Sequence, residues 1–124
     1  GGALVCGMPK GIGGGGAAPP PGWLMRAAPA NCDASLIAIR AAQLGVDLTT
    51  LEVAVDSESD DRGMLGMDEA IPAGPFLVRI HVRLGASGAS GEQLRELVEW
   101  AEAHSPVGDA LRRALPLQTR VEIV

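Results

Sequence analysis

The sequence predicts an α+β domain in which helices cover one face of a mostly antiparallel sheet. Three observations lead there. One helical stretch, about Ala30 to Leu44, is apolar almost all round. Two later segments alternate apolar and polar residues with a period of two. Two amphipathic helices with readable caps then precede a last alternating segment. The expected order is helix, strand, strand, helix, helix, strand, with no internal repeat.

A chain of 124 residues predicts one domain spanning 1–124. Residues 1–22 form a Gly/Pro-rich N-terminal segment, and the run from Gly13 to Pro21 is incompatible with regular structure. Ahead of it, Ala3-Leu4-Val5-Cys6 reads as a short strand. No Lys-Ser or Lys-Thr follows the glycines, so the run is not a phosphate-binding loop. Trp23 to Ala28 is helix-compatible. An interior proline costs about 3 kcal/mol, so Pro29 predicts a break or kink there, with a new helix starting at Pro29. That helix is expected to be buried on most sides. Gly45 would end it, and Cys32 would lie in its first turn.

The strands follow. Leu51, Val53 and Val55 form one apolar face, and Phe76, Val78, Ile80, Val82 and Leu84 form the other. Their opposite faces carry Glu52 and Asp56 on one strand and Arg79, His81 and Arg83 on the next, which complement each other in an antiparallel pair. The long connection from Ser57 to Pro75 exceeds a usual loop. Ser90 and Gln93 make a capping box for a helix whose buried stripe is Leu94, Leu97, Val98 and Ala101. Ser105-Pro106 starts a second helix, with Val107, Ala110, Leu111 and Ala114 facing inward. Leu117, Thr119, Val121 and Ile123 then alternate as a last strand.

Composition excludes several functions. The net charge is −5 with no block of Lys or Arg, which leaves no electrostatic footprint for nucleic acid. No apolar run is long enough to span a membrane. No charged region followed by an apolar stretch opens the chain, so no signal peptide is expected. Two cysteines do not make a disulfide framework, and a reducing, cytoplasmic location is the default. With one Phe, two Trp and no Tyr, the core rests on aliphatic residues, which favours a homodimer as a source of extra burial.

Few residues suggest chemistry. Cys32 at a helix start would feel the positive end of the helix dipole, while Asp33 beside it acts in the opposite sense. As a plain packing residue, Cys32 would be a small buried hydrophobe. The acidic stretch from Asp56 to Asp61 lacks the glycine and the closing carboxylate of a calcium loop and reads as a solvated turn. His81 and His104 do not complete a zinc set, so no metal and no cofactor is expected. Ser105 beside His104 lacks the surroundings of a nucleophile and reads as a helix cap.

The order of these stretches resembles the OsmC/Ohr family, the osmotically inducible and organic-hydroperoxide-resistance proteins. The resemblance runs from GGGAAPPPGWLMRAAPANCDASLIAIRAA through LTTLEVAVDSESDDRGMLG and GPFLVRIHVRL to GEQLRELVEWAEAHSPVGDALRRALPLQTRVEI, covering about 11–124. It implies an intertwined homodimer with two central cysteine-bearing helices and a sheet wrapped around them. It also implies thiol peroxidase chemistry, in which one cysteine attacks the peroxide and a second resolves the sulfenic acid. Cys32 matches the attacking cysteine. Ser105 stands where the resolving cysteine would be, and serine cannot form that disulfide. Gly22 and Trp23 stand where the family carries a glutamate, and the N-terminal strands that supply its arginine are shortened here.

Two readings follow. In the first, Cys32 alone reacts with a small-molecule hydroperoxide and an external thiol reductant resolves it, with Cys6 as a conceivable second thiol. In the alternative, the chain is a non-catalytic dimer that binds a small apolar ligand or a partner, with Trp23, Met25, Met64 and Met67 lining the pocket.

Overall fold

A computed structural model describes residues 2–124. The chain leads into helix α1 (Pro21–Leu44), strand β1 (Asp47–Glu58), a single turn α2 (Asp61–Met64), strand β2 (Leu77–Ser87), helix α3 (Gly91–His104) and helix α4 (Pro106–Arg112). The helix-plus-antiparallel-sheet class is the expected one.

Pro29 does not end or start a helix. It sits inside α1, which runs unbroken for 24 residues from an initial Pro20-Pro21 pair to Gly45 in the left-handed conformation. The lost N–H and ring crowding are outweighed because Pro29 is buried on the stripe that faces the core. Cys32 is therefore mid-helix, well beyond the first turn where a dipole would act on it. The stripe continues through Asp33, Ile37 and Ala41 at four-residue spacing. With Leu97 and Ala101 of α3, Ile37 and Ala41 make up the apolar core. The rest of α1 is less covered than its composition suggests: Ile39 is 50% and Leu44 57% exposed.

β1 and β2 pair antiparallel, with Glu52 opposite Arg83, Ala54 opposite His81 and Asp56 opposite Arg79. The outer faces complement each other as expected. Arg83 grips Glu52 bidentately, at 2.9 and 2.8 Å. Arg79 bridges Asp56 at 2.5 Å and also pairs with Glu58. His81 Nε2 meets Asp56 at 3.0 Å. Hydrogen bonding from these arginines holds the carboxyls of Glu52 and Asp56 below their ordinary range.

The two capping serines behave as the sequence indicates. Ser90 and Gln93 form a complete capping box, and Ser105 Oγ accepts from the Gly108 N–H at 3.0 Å. Leu97 and Ala101 are buried, with Leu94 and Val98 half-buried beside them. In α4 only the first turn reaches the core: Gly108 is buried and Val107 half-buried, but Leu111 is 46% exposed and Ala114 lies past the helix end.

Two expected strands are absent among the described residues. Ala3–Cys6 is irregular, followed by a 3-10 turn at Lys10–Ile12. Leu117–Ile123 is extended in pattern only, with Leu117 92% and Ile123 91% exposed. A strand exists through its ladder partner, and the sheet of this single chain has two strands, β1 and β2. Packing of α1 onto β1 and of α3 onto β2 completes the arrangement.

Ile37 is fully buried. Ile37→Ala is expected to lower unfolding free energy by about 2–5 kcal/mol in a denaturant titration, because it removes fully buried apolar atoms and leaves a cavity in their place.

Candidate functional site

The structure brings Cys32 and Ser105 together across 73 positions of sequence. Cys32 lies on the middle of α1 beside the buried stripe, half-buried and with a free thiol. Ser105 is the residue between α3 and α4, 1% exposed. Its hydroxyl donates to Cys32 Sγ at 3.3 Å and accepts from the Gly108 N–H at 3.0 Å. The cap bond fixes the oxygen, and the single hydroxyl proton is committed to the sulfur. One serine thus both starts α4 and meets the cysteine.

From sequence Asp33 enters only as a charge beside Cys32, and the structure buries it. It is the next residue after Cys32 and is only 2% exposed. Its Oδ1 has no hydrogen-bond partner. An acidic residue in a helix of apolar ones suggests a solvent face. Only the phase of the stripe, four residues on from Pro29 and four before Ile37, could have shown otherwise.

Cys6 does not approach Cys32. The N–H of the neighbouring Gly7 bonds the Pro19 carbonyl at 3.1 Å, which holds this segment at the start of α1. From Pro21 to Cys32 is roughly 16 Å along the helix axis. Each histidine is engaged elsewhere. His104 stacks on Trp100 at 4.2 Å between ring centroids, and His81 stays on the charged outer face of the sheet. Among the described residues, no cluster of His, Cys, Asp and Glu is arranged to hold a metal ion.

A separate cavity of about 410 Å³ opens at the start of α1. Trp23, Met25 and Met64 line it, as the alternative reading expects, but Met67 does not. Among the contributors that sequence reasoning missed are Met8 from the N-terminal segment and Arg26 from α1. Arg26 Nη1 donates to Ser57 Oγ at 3.1 Å. A second opening of about 430 Å³ runs between α1 and Val53 and Val55 of β1, again touching Trp23 and Arg26. Neither includes Cys32.

A helix carrying a half-buried cysteine, laid against an antiparallel sheet and capped by a helical pair, defines a class of thiol-bearing α+β domains. The chain belongs to the OsmC-like protein family, whose model matches residues 13–120. Solved structures agree in fold. An organic hydroperoxide resistance protein OsmC from Legionella pneumophila is 24% identical, with TM-score 0.61, over 86% of this chain and 71% of that one. An OsmC-like protein from Mycoplasma pneumoniae is 14% identical, with TM-score 0.67, over 85% and 68%. An OsmC-like hydroperoxide resistance protein from Jannaschia is 24% identical, with TM-score 0.63, over 88% and 70%. None of the curated proteins compared with the chain matches it. No helix among the described residues is long and apolar enough to cross a membrane.

The 3.3 Å approach of Ser105 Oγ to Cys32 Sγ is close enough for a sulfur in its place to bond after a small adjustment. Ser105→Cys is expected to form an intrachain disulfide between Cys32 and the introduced thiol on mild oxidation. Non-reducing peptide mass mapping checks it, and a persistently reduced pair would show that the geometry cannot close.

Proposed function

We propose that the chain is a one-cysteine thiol redox protein acting on organic hydroperoxides through Cys32. The observation that carries this is the Ser105 hydroxyl at the cysteine sulfur, 3.3 Å away. In this reading Ser105 stands in for a resolving thiol and cannot itself resolve. Family membership over residues 13–120 and the hydroperoxide resistance named for its structural neighbours support the substrate class.

The chemistry balances with one thiol of the protein and two from outside. The Cys32 sulfur, as thiolate, attacks the terminal peroxide oxygen. An S–O bond forms, the O–O bond breaks, and the departing alkoxide takes a proton to leave as the alcohol. Cys32 is then a sulfenic acid, and the Ser105 hydroxyl is a ready donor to negative charge on the sulfur or on its new oxygen. An external thiol attacks the sulfenic sulfur, giving a mixed disulfide and water. A second external thiol releases the reduced Cys32 and carries away the other half as a disulfide.

The working unit in this reading is a homodimer. Apolar side chains that one chain leaves open, namely Ile39, Leu44, Leu117, Val121 and Ile123, are 50% to 92% exposed. That is more than a stable monomer usually shows. The C-terminal segment alternates like a strand but lacks a ladder partner, and a second copy can supply one.

A binding reading is favoured by one observation only, the cavity at Trp23, Met25 and Met64 that stands apart from Cys32. Ligand-dependent thermal shifts that persist in Cys32→Ala would favour it over the redox reading.

Treatment of reduced protein with one equivalent of an organic hydroperoxide is expected to add one oxygen to the Cys32 peptide. A later thiol such as dithiothreitol should remove it. An unmodified Cys32 would end the redox reading. For the assembly, sedimentation is expected to give a dimer, and removal of residues 115–124 to shift it toward monomer. A full chain that sediments as a monomer would end the dimer reading.

A further inference from the structure

We propose that Met8, Met25 and Met64 form a second oxygen-accepting site, apart from Cys32, at which an apolar organic hydroperoxide oxidises a thioether to a sulfoxide. The chain has four methionines, and three of them line the one cavity of about 410 Å³ at the start of α1. They come from three separate parts of the chain. Met25 is on α1, Met64 closes the single turn α2, and Met8 belongs to the N-terminal segment.

Glycine chemistry brings the outer two in. Gly14 folds back on Met8 so closely that a Cβ there would stand 2.0 Å from the Met8 carbonyl oxygen. The Gly16 N–H bonds that same carbonyl at 3.0 Å. Gly63, beside Met64, meets the Pro72 carbonyl with room for no Cβ, which would lie 2.2 Å from that oxygen. The glycine run, which matches no phosphate loop, thus serves to wrap a thioether over the start of the helix.

The wall is otherwise mainly apolar, with Ile12, Trp23 and several prolines. Arg26 is its one cation. It has no ion-pair partner among the described residues. Asp60, also on the wall, is held by Arg62 at 2.7 Å, while Asp61 is exposed. An apolar pocket with one guanidinium that Ser57 holds by a hydrogen bond and no carboxylate neutralises suits an apolar molecule that ends in a polar, oxygen-bearing head. Hydroperoxides of that kind are the substrate class proposed for Cys32, and this inference rests on that reading.

The step is a two-electron oxygen transfer. A methionine sulfur attacks the terminal peroxide oxygen, the S–O bond forms and the O–O bond breaks. The sulfur is oxidised to the sulfoxide and the peroxide is reduced. The alkoxide takes up the proton released from the transferred oxygen and leaves as the alcohol. Sulfoxide reductases can restore the thioether.

Met67 is the built-in control, because it is 71% exposed against 44% for Met64 and lies outside the cavity. Met8 and Met25 are only half-buried. Reactivity ruled by exposure alone would put Met67 first. The test oxidises Cys32→Ala protein with cumene hydroperoxide in one series and hydrogen peroxide in another, and follows sulfoxide at each methionine by peptide mass. With cumene hydroperoxide, the cavity methionines are expected to oxidise several-fold faster than Met67. With hydrogen peroxide, which has no apolar part to bind, Met67 is expected to lead. The same order of methionines for both oxidants overturns the proposal. The same measurement on the unsubstituted protein keeps the test independent of how the variant folds. Cys32 in that digest reports on the one-cysteine reading separately, because it can stay inert while the methionine order holds.

Discussion

The packing of one stripe of α1 against α3 and the start of α4 is the constraint on which the rest depends. Pro29, Asp33, Ile37 and Ala41 lie at four-residue spacing, so they share a face. The apolar core is small, with Ile37, Ala41, Leu97 and Ala101 as its buried hydrophobic members. Because this seam holds α3 down, its C-terminal end delivers Ser105 to the middle of α1. The Cys32–Ser105 contact is a consequence of that seam and not of any local motif. The same seam explains why a proline in a helix interior is tolerated. Its ring belongs to the buried surface, and burial of that kind offsets a lost backbone bond.

The sheet plays a different part. Its outer face is a ladder of arginine–carboxylate pairs at directly opposed positions. Exposed pairs of this sort add little stability each. Their role is register: a one-residue slip would place every charge on the wrong side. The ladder keeps Val53 and Val55 turned toward α1, where they border an opening shared with Trp23 and Arg26.

Cysteine and thioether sulfur divide between two places. Cys32 lies beside the α1 seam with a hydroxyl at hydrogen-bond distance. Three methionines lie at the beginning of the same helix, in a cavity built from the glycine-rich segment and the turn after β1. The helix that carries Cys32 and Met25 is largely apolar, and one chain leaves Ile39 and Leu44 open. Family membership over residues 13–120 joins this fold to the OsmC-like proteins, and Ser105 is the residue that meets Cys32 across the seam.

The sequence by itself determined the local elements whose causes are local. Period-two alternation placed both strands and their opposed charges. The Ser90–Gln93 box and the Ser105-Pro106 start were readable because a cap is made by residues within a turn of each other. Cys32 and Ser105 stood out as candidate positions, and the OsmC-like order of segments was visible. Only the tertiary structure decided matters that depend on distant partners. Local propensity breaks a helix at Pro29, yet burial carries α1 through it and moves Cys32 to mid-helix. Nothing local to Asp33 marks it as buried, yet the phase of the stripe buries it. The pattern at Leu117–Ile123 is that of a strand, but a strand needs a neighbour and none is supplied among the described residues. The meeting of Cys32 with Ser105, and of Met8 with Met25 and Met64, joins residues far apart in sequence. Such contacts follow from how whole elements pack, which no short window of residues encodes.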